Sequence, residues 1–167
     1  MIYTSGKSNI GEKTGFVKVP YVIGENRILD HLNTAYYHIH GTSFTYPDHA
    51  NNIVLTSSSG AWTQTGTIIQ IIPAGALSSS AFDLHWINVS DISANGQLQI
   101  DIFKGASGSE IRIFPAKIHR NAVQSQEGSK KIQIQQQIAG ERISCRLTDS
   151  TAGTITCGVS FDGHYYI

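Results

Sequence analysis

Histidines are the residues with the most evident capacity for chemistry. His38-Ile39-His40 places two imidazoles at i and i+2, and His85 stands two positions after Asp83. On a β-strand such positions project from one face, so each pair presents two donors in one direction. Imidazole with carboxylate is a donor set for zinc and its first-row neighbours. His38, His40 and His85 are therefore the candidate ligands if a metal binds, with His49 or Asp101 available to complete the shell. The competing reading places these histidines on the partly polar face of a strand, packed against Tyr36 and Tyr46 or bonded to backbone. Ligand count and carboxylate placement favour the second reading, so no metal and no cofactor is expected.

Other reaction chemistries find less support. His-x-His on a β-sandwich resembles the opening of the cupin metal motif. The rest of that motif is missing: Phe44 and Thr45 stand where a Glu is needed, and the second motif with its Pro-x-Gly and later His is absent. Serine and threonine are abundant, but no Gly-x-Ser-x-Gly elbow occurs. The 12 acidic residues are scattered, and no pair carries a glycosidase signature. Gly105-Ala106-Ser107-Gly108-Ser109 leads into a β pattern rather than a helix, so it is a hairpin loop and not a phosphate cradle. Asn88-Val89-Ser90 matches a glycosylation acceptor by chance, inside a strand. No enzyme is expected. Trp62, between a Ser/Gly loop and a Thr/Gln stretch, is the candidate platform for stacking on sugars. Its alternative is that Trp62 and Trp86 fill the core, as their apolar neighbours Ala61 and Ile87 suggest.

Composition says what must position these groups. Of the 167 residues, 23 are Ile and 7 Val, against 7 Leu and 1 Met. Stiff β-branched side chains suit a pleated, half-buried surface. Charged residues make up 14%, and 12 Lys+Arg balance 12 Asp+Glu. A neutral chain with scattered cations is a poor binder of nucleic acid. No apolar run reaches the roughly 18 residues of a membrane helix, so neither nucleic acid nor membrane is an expected partner. Residues Met1 to Lys7 lack the basic cluster and apolar run of a secretory signal, which predicts assembly in the cytoplasm.

Short candidate strands recur from Ala35 on, with turn signals between them: Tyr36–Thr42, Asn52–Ser57, Ala61–Gln64, Thr67–Ile72, Ala81–Ser90, Gln97–Lys104, Glu110–His119, Lys131–Ile138, Glu141–Asp149 and Thr154–Tyr166. Asn95-Gly96 is a tight-turn signal. No crossover helices separate the strands, so the prediction is an all-β, antiparallel sandwich or barrel of eight to ten strands. Leu98, Ile100 and Ile102 share a face, as do Ile132, Ile134 and Ile138, with Gln136 a polar intruder. Ile143, Cys145 and Leu147 alternate likewise, and so do Ile155, Cys157, Val159 and Phe161. A hairpin centred on Thr151 would set Cys145 opposite Cys157 on the core side, as a reduced, buried pair. Ala81–Ser90 breaks the alternation after Trp86, which predicts a bulge or a strand buried on both faces, central in the sandwich.

Residues 1–34 read as an extended, glycine-punctuated N-terminal arm, and 35–167 as the β-sandwich domain. Within the arm, Phe16, Val17, Val19 and Tyr21 are the candidate partner-binding residues, on a segment that Pro20 interrupts. An arm of this length reaches roughly 100 Å at most.

Several stretches resemble, as a set, small all-β virion structural proteins of tailed bacteriophages. They are Tyr36-Tyr37-His38-Ile39-His40-Gly41 with Tyr46-Pro47, Ala81-Phe82-Asp83-Leu84-His85-Trp86-Ile87-Asn88-Val89, and Gly105-Ala106-Ser107-Gly108-Ser109-Glu110. The resemblance covers residues 35 to 165 and carries no catalytic residue. It implies a jelly-roll-like sandwich serving as a capsid decoration protein, a head-fibre or collar component, or a tail-associated subunit. It further implies a homo-oligomer, expected as a trimer, that docks on the major capsid protein or other virion proteins.

Overall fold

The computed structural model describes residues 40–121 and 127–166. These lie in the second of two units into which the chain divides, His40–Ile167. The arm 1–34, with Phe16, Val17, Val19 and Tyr21, falls outside the described residues, as does His38. Nine strands are present among the described residues: β1 (His40–Tyr46), β2 (Ile53–Thr56), β3 (Ile69–Ile72), β4 (Phe82–Ser90), β5 (Gly96–Lys104), β6 (Ile111–Arg120), β7 (Gly128–Gln137), β8 (Ile143–Asp149) and β9 (Thr156–Tyr166). A single 3-10 turn, His49–Asn51, follows β1 and is capped by the Asp48 carboxylate accepting from the Ala50 N–H.

One sheet runs β1-β9-β4-β7, with β2 pairing β9 beside β1; the other runs β3-β8-β5-β6. All pairings are antiparallel. From β2 onward every connection except the β5–β6 hairpin crosses between the sheets. Eight strands ordered 2-9-4-7 and 3-8-5-6 make a jelly-roll sandwich. Pro115 sits in β6, an outer strand of its sheet, the kind of position where a residue without an N–H is tolerated.

The faces predicted from alternation meet between the sheets. Leu55, Ile72, Phe82, Leu84, Ile87, Ile100, Ile102, Ile143, Leu147, Val159 and Phe161 are all at most 1% exposed. At about 25 cal/mol per Å² of apolar surface removed from water, this aliphatic slab is the main stabilising contribution.

Three expectations are corrected. Ala61–Gln64 is a turn rather than a strand. The β8–β9 hairpin does not form: β8 lies between β3 and β5, whereas β9 lies in the opposite sheet. The chain crosses over at Asp149–Ile155, where Asp149 Oδ1 accepts from the Thr151 N–H in a side-chain-closed turn, Ser150 N–H bonds Gln97 O and Ser57 N–H bonds Ile155 O. Asn95-Gly96 likewise ends a sheet-crossing connection, with Gly96 opening β5. Cys145 and Cys157 are thus buried on opposite sheets with free thiols. Burial, with Cys157 and Asp101 nearby, pushes the Cys145 thiol well above its ordinary range, and burial pushes Cys157 up to about 12. The third correction concerns Ile138, which is 70% exposed while Gln137 is buried. Between Phe82 and Leu84 the partner strand advances from Gln137 to Ile134, and the additional residue reverses the alternation of β7.

Candidate functional site

β4 is central in its sheet, between β7 and β9, and it carries the expected irregularity. Leu84 pairs with Gly163 and Trp86 with Asp162, so His85 is an extra residue opposite β9. This bulge keeps Phe82, Leu84, Ile87 and Val89 all in the core while turning Trp86 outward, where it is 40% exposed. Asp83 and His85 share the outer face, and Asp83 lies directly opposite His164 of β9.

The result is a cluster on the outside of the five-stranded sheet. His85 Nε2 is 2.8 Å from Asp83 Oδ2, and His164 Nδ1 is 2.9 Å from Asp83 Oδ1. The Tyr166 hydroxyl donates to Oδ2 at 3.0 Å, and the His164 backbone N–H donates to Oδ1 at 3.3 Å. The two imidazole rings lie 3.9 Å apart, centroid to centroid. Burial works to raise the pKa of Asp83; bonds from His85 and Tyr166, the charge of His85 and the His164 N–H outweigh it and hold the carboxyl below its ordinary value. Tyr166 is pushed up to about 12, by burial and by the carboxylate that accepts its hydrogen bond.

Of the predicted ligands, His85 joins this cluster. The backbone of His40 pairs with that of Tyr166, which sets His40 one strand across from it. His49 sits in the turn after β1, at the Phe161 end of the strand pair, and Asp101 lies in the other sheet. Neither completes a shell with His85. His164 and Tyr166 were not among the predicted ligands. The alternation of the last strand pointed to them, because Asp162, His164 and Tyr166 share the face opposite to Phe161. The space between the sheets, by contrast, is lined by aliphatic and aromatic side chains.

Trp62 is 45% exposed, so neither tryptophan fills the core. It holds the left-handed region at φ 55°, rare for an aromatic residue, with its backbone N–H donating to Asp149 O at 2.6 Å. The indole borders an open cavity of about 380 Å³ whose floor is the outward row of Gln97, Gln99, Lys117 and His119 on β5 and β6.

The same outer face of the four-stranded sheet holds a buried carboxylate. Asp101 is fully buried between Arg146 and Arg112, at 3.1 and 3.3 Å, and also accepts from Gln99 Nε2 at 2.9 Å. Among the described residues no helix is long and apolar enough to cross a membrane.

No protein-family model and no curated protein matches the chain. The chain is similar to a chain of the structure of infectious bursal disease virus Gt strain, at 12% identity and a TM-score of 0.41, covering 75% of this chain and 33% of that one. A structure of the Gx strain of the same virus gives 15% identity and a TM-score of 0.38, over 75% and 32% of the two chains. The chain therefore spans about one third of the length of these neighbours.

Proposed function

We propose that the protein is a non-enzymatic structural subunit of a virus particle, of the decoration, head-fibre, collar or tail-associated kind found in tailed bacteriophages. It self-assembles as a trimer, is built in the host cytoplasm, and docks on the major capsid protein or another virion protein through the arm 1–34 with Phe16, Val17, Val19 and Tyr21. One observation carries this reading: the strands form a jelly roll whose two facing sheets pack aliphatic and aromatic side chains against each other. Its working surfaces are then the outer faces and edges of the sheets. Low charge and the sequence resemblance to phage proteins point the same way, because neutral surfaces do not repel copies of themselves. Light scattering of the full chain is expected to give three times the chain mass. Removing residues 1–30 should leave the sandwich folded and abolish co-sedimentation with the particle. A monomer that ignores the other virion proteins would remove this reading.

A second reading, a glycan- or receptor-binding module, is favoured by the exposure of Trp62 above a row of amide and cationic side chains. An indole held outward stacks on a sugar face while Gln97, Gln99 and Lys117 reach its hydroxyls. On a glycan array, any hit should weaken about tenfold or more in Trp62→Ala. An array without hits, or binding indifferent to that change, would count against it.

A further inference from the structure

We propose that Asp83, His85 and His164 bind a first-row divalent transition-metal ion on the outer face of the five-stranded sheet. This goes beyond an assembly role and stands apart from it. One ligand atom from each residue lies within 4.8 Å of the other two. Both imidazoles turn a nitrogen toward the same carboxylate, at 2.8 and 2.9 Å. Donor atoms surround zinc at ~2.0–2.2 Å from the ion. His85 Nε2 faces Oδ2 and His164 Nδ1 faces Oδ1, so a carboxylate that turns one oxygen between the two rings, with the contacts opened by about half an ångström, admits such an ion.

The donor chemistry selects the class of ion. Two imidazole nitrogens and one carboxylate oxygen suit zinc, nickel, cobalt or iron, whereas calcium and magnesium call for sets composed of oxygen. Position is fixed by the scaffold rather than by loops. Asp83 and His164 are paired residues on adjacent central strands, and the bulge sets His85 beside them. Tyr166 acts as a positioning residue, since its hydroxyl holds Asp83 Oδ2 at 3.0 Å, as hydrogen-bonded carboxylates in metal sites require. The histidine side chains are 27% and 20% exposed, so both rings meet solvent at the surface of the sheet.

The test uses the full chain, stripped with EDTA, dialysed and titrated with Zn²⁺ by calorimetry and with Co²⁺ by visible absorption. One ion per chain is expected, with ligand-field bands from cobalt and a melting temperature that rises with added zinc. His164→Gln and Asp83→Asn should weaken binding by more than ~100-fold, and Tyr166→Phe, which spares the three ligands, by ~10-fold. If His164→Gln fails to fold, His85→Gln replaces it, and far-UV circular dichroism of the stripped variants checks the fold. A folded wild type that takes up no zinc at millimolar concentration overturns the proposal. Undiminished uptake by His164→Gln and Asp83→Asn overturns it equally, because the ion then binds elsewhere.

Discussion

Replacing Asp101 with alanine is expected to destabilise the folded chain by about 3–5 kcal/mol, read as a lower urea midpoint at unchanged slope. Asp101 lies on the outward face of β5 yet is fully buried. Arg146 stands opposite on β8, and its Nη2 approaches Oδ2 at 3.1 Å. The Arg146 side chain is only 13% exposed; it also donates to Gln64 O at 2.8 Å and lies over the Phe103 ring at 5.2 Å. Its Nε is buried with no hydrogen-bond partner. Removing the carboxylate strands that guanidinium without a counter-charge, and such a loss exceeds the net worth of the intact pair. Arg112 is 46% exposed and rehydrates when unpaired, so Arg112→Ala should cost at most about 1 kcal/mol. The discriminating measurement is a double-mutant cycle. Asp101→Ala with Arg146→Ala should lose ~1–3 kcal/mol less than the sum of the single changes. Strict additivity would mean that Asp101 is held for its shape rather than its charge.

Which face of each strand enters the core was legible wherever alternation ran unbroken, as in Leu98, Ile100 and Ile102 or Cys157, Val159 and Phe161. Alternation is blind to bulges, because one extra residue reverses it. The break in β4 was visible, since apolar residues on both parities demanded an explanation. The one in β7 showed only as the intruding Gln136, and Ile138 and Gln137 exchange roles. Matching buried faces also cannot tell two strands paired within a sheet from two strands facing each other across a sandwich. Cys145 and Cys157 satisfy both arrangements, and the strand order selects the second. The site shows the same limit. Asp83 and His85 are neighbours in sequence and were visible as a pair, whereas His164 reaches them only through the β4–β9 pairing. Trp62 and Trp86 stand outside the core despite their apolar neighbours Ala61 and Ile87, because a left-handed turn residue in one case and the bulge in the other direct each indole outward.

Gly163→Ala is the second change with a large expected effect, a loss of about 3 kcal/mol or more. Gly163 lies on β9 between Phe44 of β1 and Leu84 of β4, beside the bulge. A methyl group there would overlap the Asp83 carbonyl oxygen and come within 2.8 Å of Phe44 Cζ. The Phe44 ring occupies the space that a side chain at 163 would need, packing edge-on against Phe82 at 6.0 Å and tilted against Tyr165 at 5.0 Å. Glycine covered by an aromatic ring from the next strand is a known device for stabilising sheets. Two contacts with different compliance follow from this placement. The ring can rotate aside, but the Asp83 carbonyl belongs to the backbone of a central strand and moves only if β4 shifts. Trimming the ring in a Phe44→Ala background should therefore fail to rescue Gly163→Ala. Gly153→Ala is the control: its added methyl meets only Thr151 Oγ1 at 3.8 Å, so stability should stay within about 0.5 kcal/mol of wild type. Because the displaced carbonyl is that of Asp83, Gly163→Ala should also disturb the Asp83–His164 contact across the same strand pair. Its signature in a two-dimensional NMR spectrum is a shift of the His164 ring resonances that Gly153→Ala does not produce. Rescue by Phe44→Ala would show that the aromatic ring, and not the β4 backbone, is what excludes a side chain at this position.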